Sequence, residues 1–229
     1  MRNRLTAFIA LAALMPGAAA AGDLDAGFDI LRKGERIGFH AVNVEEAADG
    51  SVRVETRIEM QVKIGPIPVF RYEHLSSEVW RGGVLQSLES TTDNNGKDMT
   101  LKVSRSGDAL IVDGSMYKGQ APGDAVPSSY WNKAIIGAKT LLDTQNGRLI
   151  DVKIEKLGAT PTPAGAVAEQ HRLSGTVDLN LWYDGAQWVG ADFVVRGQAL
   201  AYRLVDAAAR DKLFARLSLG NAQESSGGN

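Results

Sequence analysis

The chain contains no cysteine. That excludes disulfides, thiolate nucleophiles and thiolate metal ligands, so an exported form must be held together by core packing alone. Histidine is scarce as well, with His40, His74 and His171 the only three in 229 residues. No His-x-His or His-Glu-x-x-His pair occurs, and no metal site or other cofactor is expected. No serine sits in a Gly-x-Ser-x-Gly elbow, which makes a hydrolase the least favoured reading. Neither sign of charge dominates. The 25 Lys and Arg against 27 Asp and Glu leave a net charge of −2, whereas a nucleic-acid binder needs a basic face. Long apolar runs are absent beyond the first 21 residues, so no transmembrane segment is expected in the mature chain.

What is present begins with the three-part order of a secretory signal. Arg2 and Arg4 give a positive start, Leu5 to Met15 is apolar apart from Thr6, and Ala18-Ala19-Ala20 supplies small residues after Pro16-Gly17. The apolar stretch falls short of the ~20 residues a bilayer core requires. Residues 1–21 therefore read as a removed signal peptide, and the mature protein as periplasmic. Residues 22–220 read as one β-rich domain and 221–229 as a disordered tail.

The clearest pattern is Ser51 to Ile64. Val52, Val54, Ile58, Met60, Val62 and Ile64 alternate with Arg53, Glu55, Arg57, Glu59, Gln61 and Lys63. Period two over this length predicts a long strand with one dry face and one wet face, as in the wall of a curved sheet. Turn chemistry punctuates the chain on both sides, at Asp49-Gly50, Gly82-Gly83, Asn94-Asn95-Gly96, Gly107-Asp108 and Asp184-Gly185. The Asp93–Asp98 stretch lacks the ligand spacing of a calcium loop and reads as an ordinary hairpin turn. Trp131, Ile135, Ala138 and Leu142 recur at helical spacing after Ser128 and Ser129, which predicts a short helix from Tyr130 to about Leu142. Ala209, Leu213 and Leu217 predict a C-terminal helix over about 206–217. The fold expected is mainly β: a curved antiparallel sheet or half-open β-barrel of about eleven strands, with a short inserted helix and a C-terminal helix.

Candidate site residues follow from the faces. His40 shares a face with Val42 and Val44, which are placed against the dry row of the long strand. His74 shares a face with Tyr72, Glu78 and Trp80. Trp131 starts the inserted helix. An inward histidine in a β wall binds a polar head group or is a core residue with a hydrogen-bond partner. Aromatics around an opening line an apolar pocket or fill the core. His40, His74, Tyr72, Trp80 and Trp131 are thus the candidate ligand contacts. His171, beside Glu169 and Arg172, reads as a surface residue. Trp182 and Trp188 flank a turn and suggest a cross-strand aromatic pair.

Several strings resemble an uncharacterised group of exported bacterial proteins. They are Tyr72-Glu73-His74, Glu78-x-Trp80-Arg81-x-Gly83, Thr92-Asp93-Asn94-x-Gly96-Lys97, Ser129-Tyr130-Trp131-Asn132, Leu142-Asp143-Thr144-Gln145-x-Gly147 and Leu181-Trp182-Tyr183-Asp184. The group is a domain of unknown function, so the resemblance implies membership and no activity. At the level of architecture alone, the wrapped-sheet plan is similar to LolA/LolB-like carriers of lipoproteins. The function expected is binding of a lipid or other amphipathic molecule on a concave β face. The alternative is a structural or protein-interaction module of the cell envelope with a filled core.

Overall fold

The computed structural model describes residues 24–195 and 197–215. The expected signal peptide, the expected tail and the last turn of the C-terminal helix lie outside them. Period-two segments separated by glycine-rich turns fold here as a meander. Its first run is β1 (Ala26–Arg32), β2 (Glu35–Glu46), β3 (Ser51–Ile64), β4 (Ile67–Arg81), β5 (Val84–Asn94), β6 (Asp98–Ser106), β7 (Ala109–Gly114) and β8 (Lys118–Pro122). The second is β9 (Val126–Pro127), β10 (Thr140–Leu142), β11 (Leu149–Pro161), β12 (Val167–Gly175), β13 (Leu179–Asp184), β14 (Gln187–Val195) and β15 (Gln198–Leu204). All fifteen belong to one sheet, ordered β8-β7-β6-β5-β4-β3-β2-β1-β15-β14-β13-β12-β11-β10-β9. The first and last strands pair with each other in the middle of the sheet. The two edges, β8 and β9, are neighbours in sequence but do not pair. The sheet therefore curls round a core without closing, as the half-open reading expects.

The long alternating segment is a single strand with the predicted bounds, Ser51–Ile64. The Asp93–Asp98 stretch is the hairpin turn read from its sequence. Asn95 and Gly96 there have φ of 56° and 85°, the left-handed pair that a two-residue turn demands.

Two expectations are corrected. The strand count rises from about eleven to fifteen, because the segment read as a loop and a helix holds β8, β9 and β10. The inserted helix shrinks to one 3-10 turn, Lys133–Gly137, whose first free N–H, on Ala134, is bonded by the Asn132 side chain at 2.9 Å. Tyr130 has φ of 66°, which cannot begin a right-handed helix. Ala138 is already extended, and Thr140–Leu142 pairs with Leu149–Asp151. The helical spacing was satisfied by burial of Trp131, Ile135 and Leu142 from irregular chain and strand instead.

The core sits on the concave face. Phe28, Ile30, Leu88, Leu110, Leu142, Leu173, Leu181 and Ala191 are fully buried in one cluster, with Tyr183 and Trp188 among the largest members. Each such Leu, Ile or Phe side chain stabilises the fold by about 1.5–3 kcal/mol. A helix over 207–215, α1, packs on the convex side, where Leu213 covers Phe39 and Ala41. Trp182 and Trp188 do not pair across their hairpin. A bulge at Trp182/Tyr183 sets Trp188 opposite Tyr183, and Trp182 joins a separate cluster with Ala168 and Val189.

Candidate functional site

The inward row of β4 is unusual for a core. Tyr72, His74, Ser76, Glu78 and Trp80 alternate inward, while Glu73, Leu75, Ser77 and Val79 alternate outward. Neighbouring strands widen this row into a seam. Register places His40, Ile58, His74 and Thr92 side by side, then Val42, Thr56, Ser76 and Ser90, then Val44, Val54, Glu78 and Leu88. From Tyr72 to Trp80 the seam runs about 26 Å at the usual strand rise. Apolar walls flank it, among them Val42, Val44, Val54 and Leu88.

The seam is buried and incompletely bonded. Among the described residues, seven buried side-chain nitrogen or oxygen atoms have no hydrogen-bond partner. Six of those seven lie along it: both ring nitrogens of His40, Thr56 Oγ1, Ser76 Oγ, Glu78 Oε1 and Ser129 Oγ. Native interiors leave few such groups, because each lost hydrogen bond costs about 1–3 kcal/mol.

At one end stand the histidines. His40 is packed edge-on against Trp188 and Tyr202, with ring centroids 5.0 and 5.5 Å away, and Phe28 lies at 6.3 Å. Burial drives its pKa down to about 3, with a further push from His74. His74 has one partner, Thr92 Oγ1 at 2.8 Å from Nδ1, and burial lowers its pKa to about 4. Both rings are neutral at pH 7. Tyr72 lies beyond them, its hydroxyl raised above the ordinary phenol range by burial.

At the other end stands Glu78, fully buried. Its Oε2 accepts the indole N–H of Trp80 at 2.7 Å and of Trp131 at 3.2 Å. The two indoles meet edge to face at 5.7 Å. Burial raises the Glu78 pKa, and Ser129, Trp80 and Trp131 offset part of that rise. The Ser129 hydroxyl makes the largest of these offsets, from beside the carboxylate.

The segment Asp143–Gly147 lies over the middle of the seam. Ser90 Oγ donates to the Thr144 carbonyl, and Met116 N to the Asn146 carbonyl at 3.0 Å. Glycine at 114 permits this approach, since a Cβ there would lie 2.3 Å from the Asn146 oxygen.

All five candidate residues therefore face the same concave surface, divided between two ends. His40, His74 and Tyr72 form one group, Trp80 and Trp131 the other. Sequence reasoning did not name Glu78, Ser76, Thr56 or Ser129 as site residues, although the alternation that groups His74 with Trp80 also carries Ser76 and Glu78. His171 is corrected from surface to buried, at 4% exposed. Its Nε2 meets Glu169 Oε1 at 2.7 Å, and it shares the inward row of Leu173.

Among the described residues, no group of three His, Asp or Glu side chains is placed to hold a metal ion. No helix among them is long and apolar enough to cross a membrane. Two surface grooves, of about 810 and 520 Å³, open on the sheet, and the second is lined in part by Thr56, Ser76 and Ser90 of the seam, together with Glu55, Ser77 and Glu89. Of the five candidate residues only Tyr72 reaches either one.

No curated protein matches the chain. Among solved structures it is similar to the beta-barrel-like protein of domain of unknown function DUF1849 from Brucella abortus. The two share 10% identity and a TM-score of 0.56, over 80% of this chain and 95% of that one, which is a likeness of fold. A family model matches residues 28–205, from the third residue of β1 to just past β15. The chain belongs to that family, the domain of unknown function DUF6134.

Proposed function

We propose that the chain is an exported, periplasmic binding protein that holds a lipid or other amphipathic molecule on the concave face of its sheet. The observation that carries this reading is the seam: six buried polar atoms without partners, in line, between apolar walls. A polar head group meeting His40, Ser76 or Glu78 would satisfy them, and the chains would lie against the valines and leucines beside them. Burial of apolar surface at about 25 cal/mol per Å² supplies the affinity, and the seam sets orientation. Entry would require the Asp143–Gly147 segment to lift from β5, since Ser90 ties it down. Export rests on the charged, apolar and small-residue order of residues 1–21.

One observation favours a second reading, a structural module with a filled interior. Phe28, Trp188 and Tyr202 pack directly on His40 with no more than 3% exposure. Organic extraction of protein purified without detergent, followed by lipid mass spectrometry, separates the two. The binding reading expects a stoichiometric lipid, and expects the paired change Thr56→Val and Ser76→Ala to reduce it. An empty extract, with no thermal shift on adding fatty acids or phospholipids, would put the structural module first.

A further inference from the structure

The outside of the molecule carries a feature that the seam does not use. β3 and β4 outrun their neighbours. The β2–β3 ladder ends at Met60 and the β4–β5 ladder at Tyr72, with Arg71 still bonded to Asn95, so residues 61–70 project as a two-stranded ribbon. Its tip is apolar and exposed: Ile64 at 70%, Ile67 at 64% and Val69 at 46%. Pro66 and Pro68 sit between them. A tip of this kind is costly in water and a hazard for edge-to-edge pairing. Yet it carries no acidic residue from Met60 to Tyr72, while Lys63 and Arg71 flank it.

The register of β15, β1, β2 and β3 brings the β1–β2 and β14–β15 turns to the same end of the sheet, and that of β4 and β5 brings the Asp93–Asp98 turn beside Arg71. The β1–β2 turn presents Arg32, Lys33 and Arg36 against one acid, Glu35. The β14–β15 turn presents Val194 and Val195, 66% and 46% exposed. Arg71 is engaged by Glu73, Arg36 by Asp29 and Arg32 by Gln198. Lys33 and Lys63 make no ion pair among the described residues. The rim is thus apolar at two hairpins, with basic groups beside and between them and the acids Asp93 and Asp98 set back on the β5–β6 turn.

We propose that this rim docks on a lipid bilayer bearing anionic headgroups, with the β3–β4 tip entering the interface. Three features fit a bilayer better than a folded partner. The tip is convex and projecting, so it suits a fluid phase rather than a shaped pocket. Both of its faces carry apolar groups, Ile64 and Ile67 on one and Pro68 on the other. The prolines remove two backbone N–H donors where the ladder ends, which lowers the penalty of leaving water. The lysines supply attraction to anionic headgroups, each basic side chain near such a surface contributing about fivefold in affinity.

Flotation with vesicles tests this. The purified chain should float with phosphatidylglycerol–phosphatidylcholine vesicles and not with phosphatidylcholine alone, and salt should release it. The paired change Ile64→Ser and Ile67→Ser should weaken flotation by at least about tenfold with an unchanged melting temperature, as should Lys33→Glu with Lys63→Glu. Val167→Ser, on an exposed valine at the opposite rim, should change nothing. Because the chain has no native cysteine, Ile67→Cys can carry an environment-sensitive dye, whose emission should shift to the blue on anionic vesicles. Absence of flotation at low salt, an unshifted dye, or equal loss from Val167→Ser would overturn the proposal. None of these readouts depends on the concave seam, so the two readings fail separately.

Discussion

The two faces of β4 carry polar side chains at the same spacing and use them in opposite ways. Outward, Glu73 accepts from Arg71 at 2.6 Å and from Arg57 at 3.1 Å, and Ser77 donates to Glu55 at 2.9 Å. Every one of these groups also reaches water. Inward, Ser76 and half of Glu78 have no partner, and His74 has one. The difference shows that polarity on this strand does not decide which face is dry. The neighbours decide it. Val54, Val42 and Leu88 beside the inward row make that face the core, and its polar members are carried in with them.

The largest effect expected from this comparison is at β3. Val54→Asp buries a charge on the inward face and should cost about 4 kcal/mol or abolish folding. Arg53→Asp, one residue away on the outward face, should cost less than about 1 kcal/mol. Urea denaturation measures both, and equal midpoints would mean the faces are misassigned.

Next comes pH. His40 and His74 have folded pKa values of about 3 and about 4, below the ordinary 6.5. Between those limits the unfolded chain binds their protons and the folded chain does not. Stability is therefore whole above pH 6.5 and falls by a few kcal/mol as pH drops toward 4. His40→Phe should flatten part of that loss. Glu78 has the opposite sign: its folded pKa is raised, so its proton supports the fold at low pH and that support is lost as pH rises past 4.5. Glu78→Gln should gain on the parent as pH increases above 4.5. A parallel pH profile for that variant would show that Glu78 does not hold its proton.

A smaller effect is expected at the indoles. Trp131→Phe removes one of the two N–H groups on Glu78 Oε2 and should cost about 1–2 kcal/mol. In a Glu78→Leu background, which cannot accept, most of that cost should vanish, and its persistence there would indicate a packing effect alone. The smallest is outward. Lys102 and Glu89 form a pair at 3.1 Å with both side chains mostly exposed, and Lys102→Ala should shift the urea midpoint by less than about 0.5 kcal/mol equivalent.

Most strands were legible because period two and turn chemistry are local signals. Ser51–Ile64 was bounded to the residue, and the Asn95-Gly96 turn followed from residues that tolerate positive φ. The region from Lys118 to Leu142 was not legible. β8 to β10 are short and lack alternation, and β9 and β10 pair in parallel, a contact that the local pattern does not encode. The apolar spacing at Trp131, Ile135 and Leu142 mimicked a helix because burial of each is decided by distant strands. Tyr72, His74, Trp80 and His40 were found by face and so lie on the concave side, whereas Trp131 was read from a helix that does not form and reaches that side through its N–H to Glu78. Glu78 is placed on the His74 face by its alternation but is not a candidate contact there, because nothing local shows that Trp80 and Trp131 close over it.

The sequence by itself determined that this is a β meander whose long strand has one dry row, that no thiol chemistry is available, and where the turns fall. These properties depend on residues close along the chain, whose backbone preferences and side-chain alternation act before any tertiary contact forms. Only the tertiary structure decided that β1 and β15 meet mid-sheet, that Asp143–Gly147 covers the concave face, and that His40, Ser76 and Glu78 are sealed in one seam. Those outcomes rest on contacts between segments far apart in sequence, where the gain from burying apolar neighbours overrides the cost of enclosing polar groups.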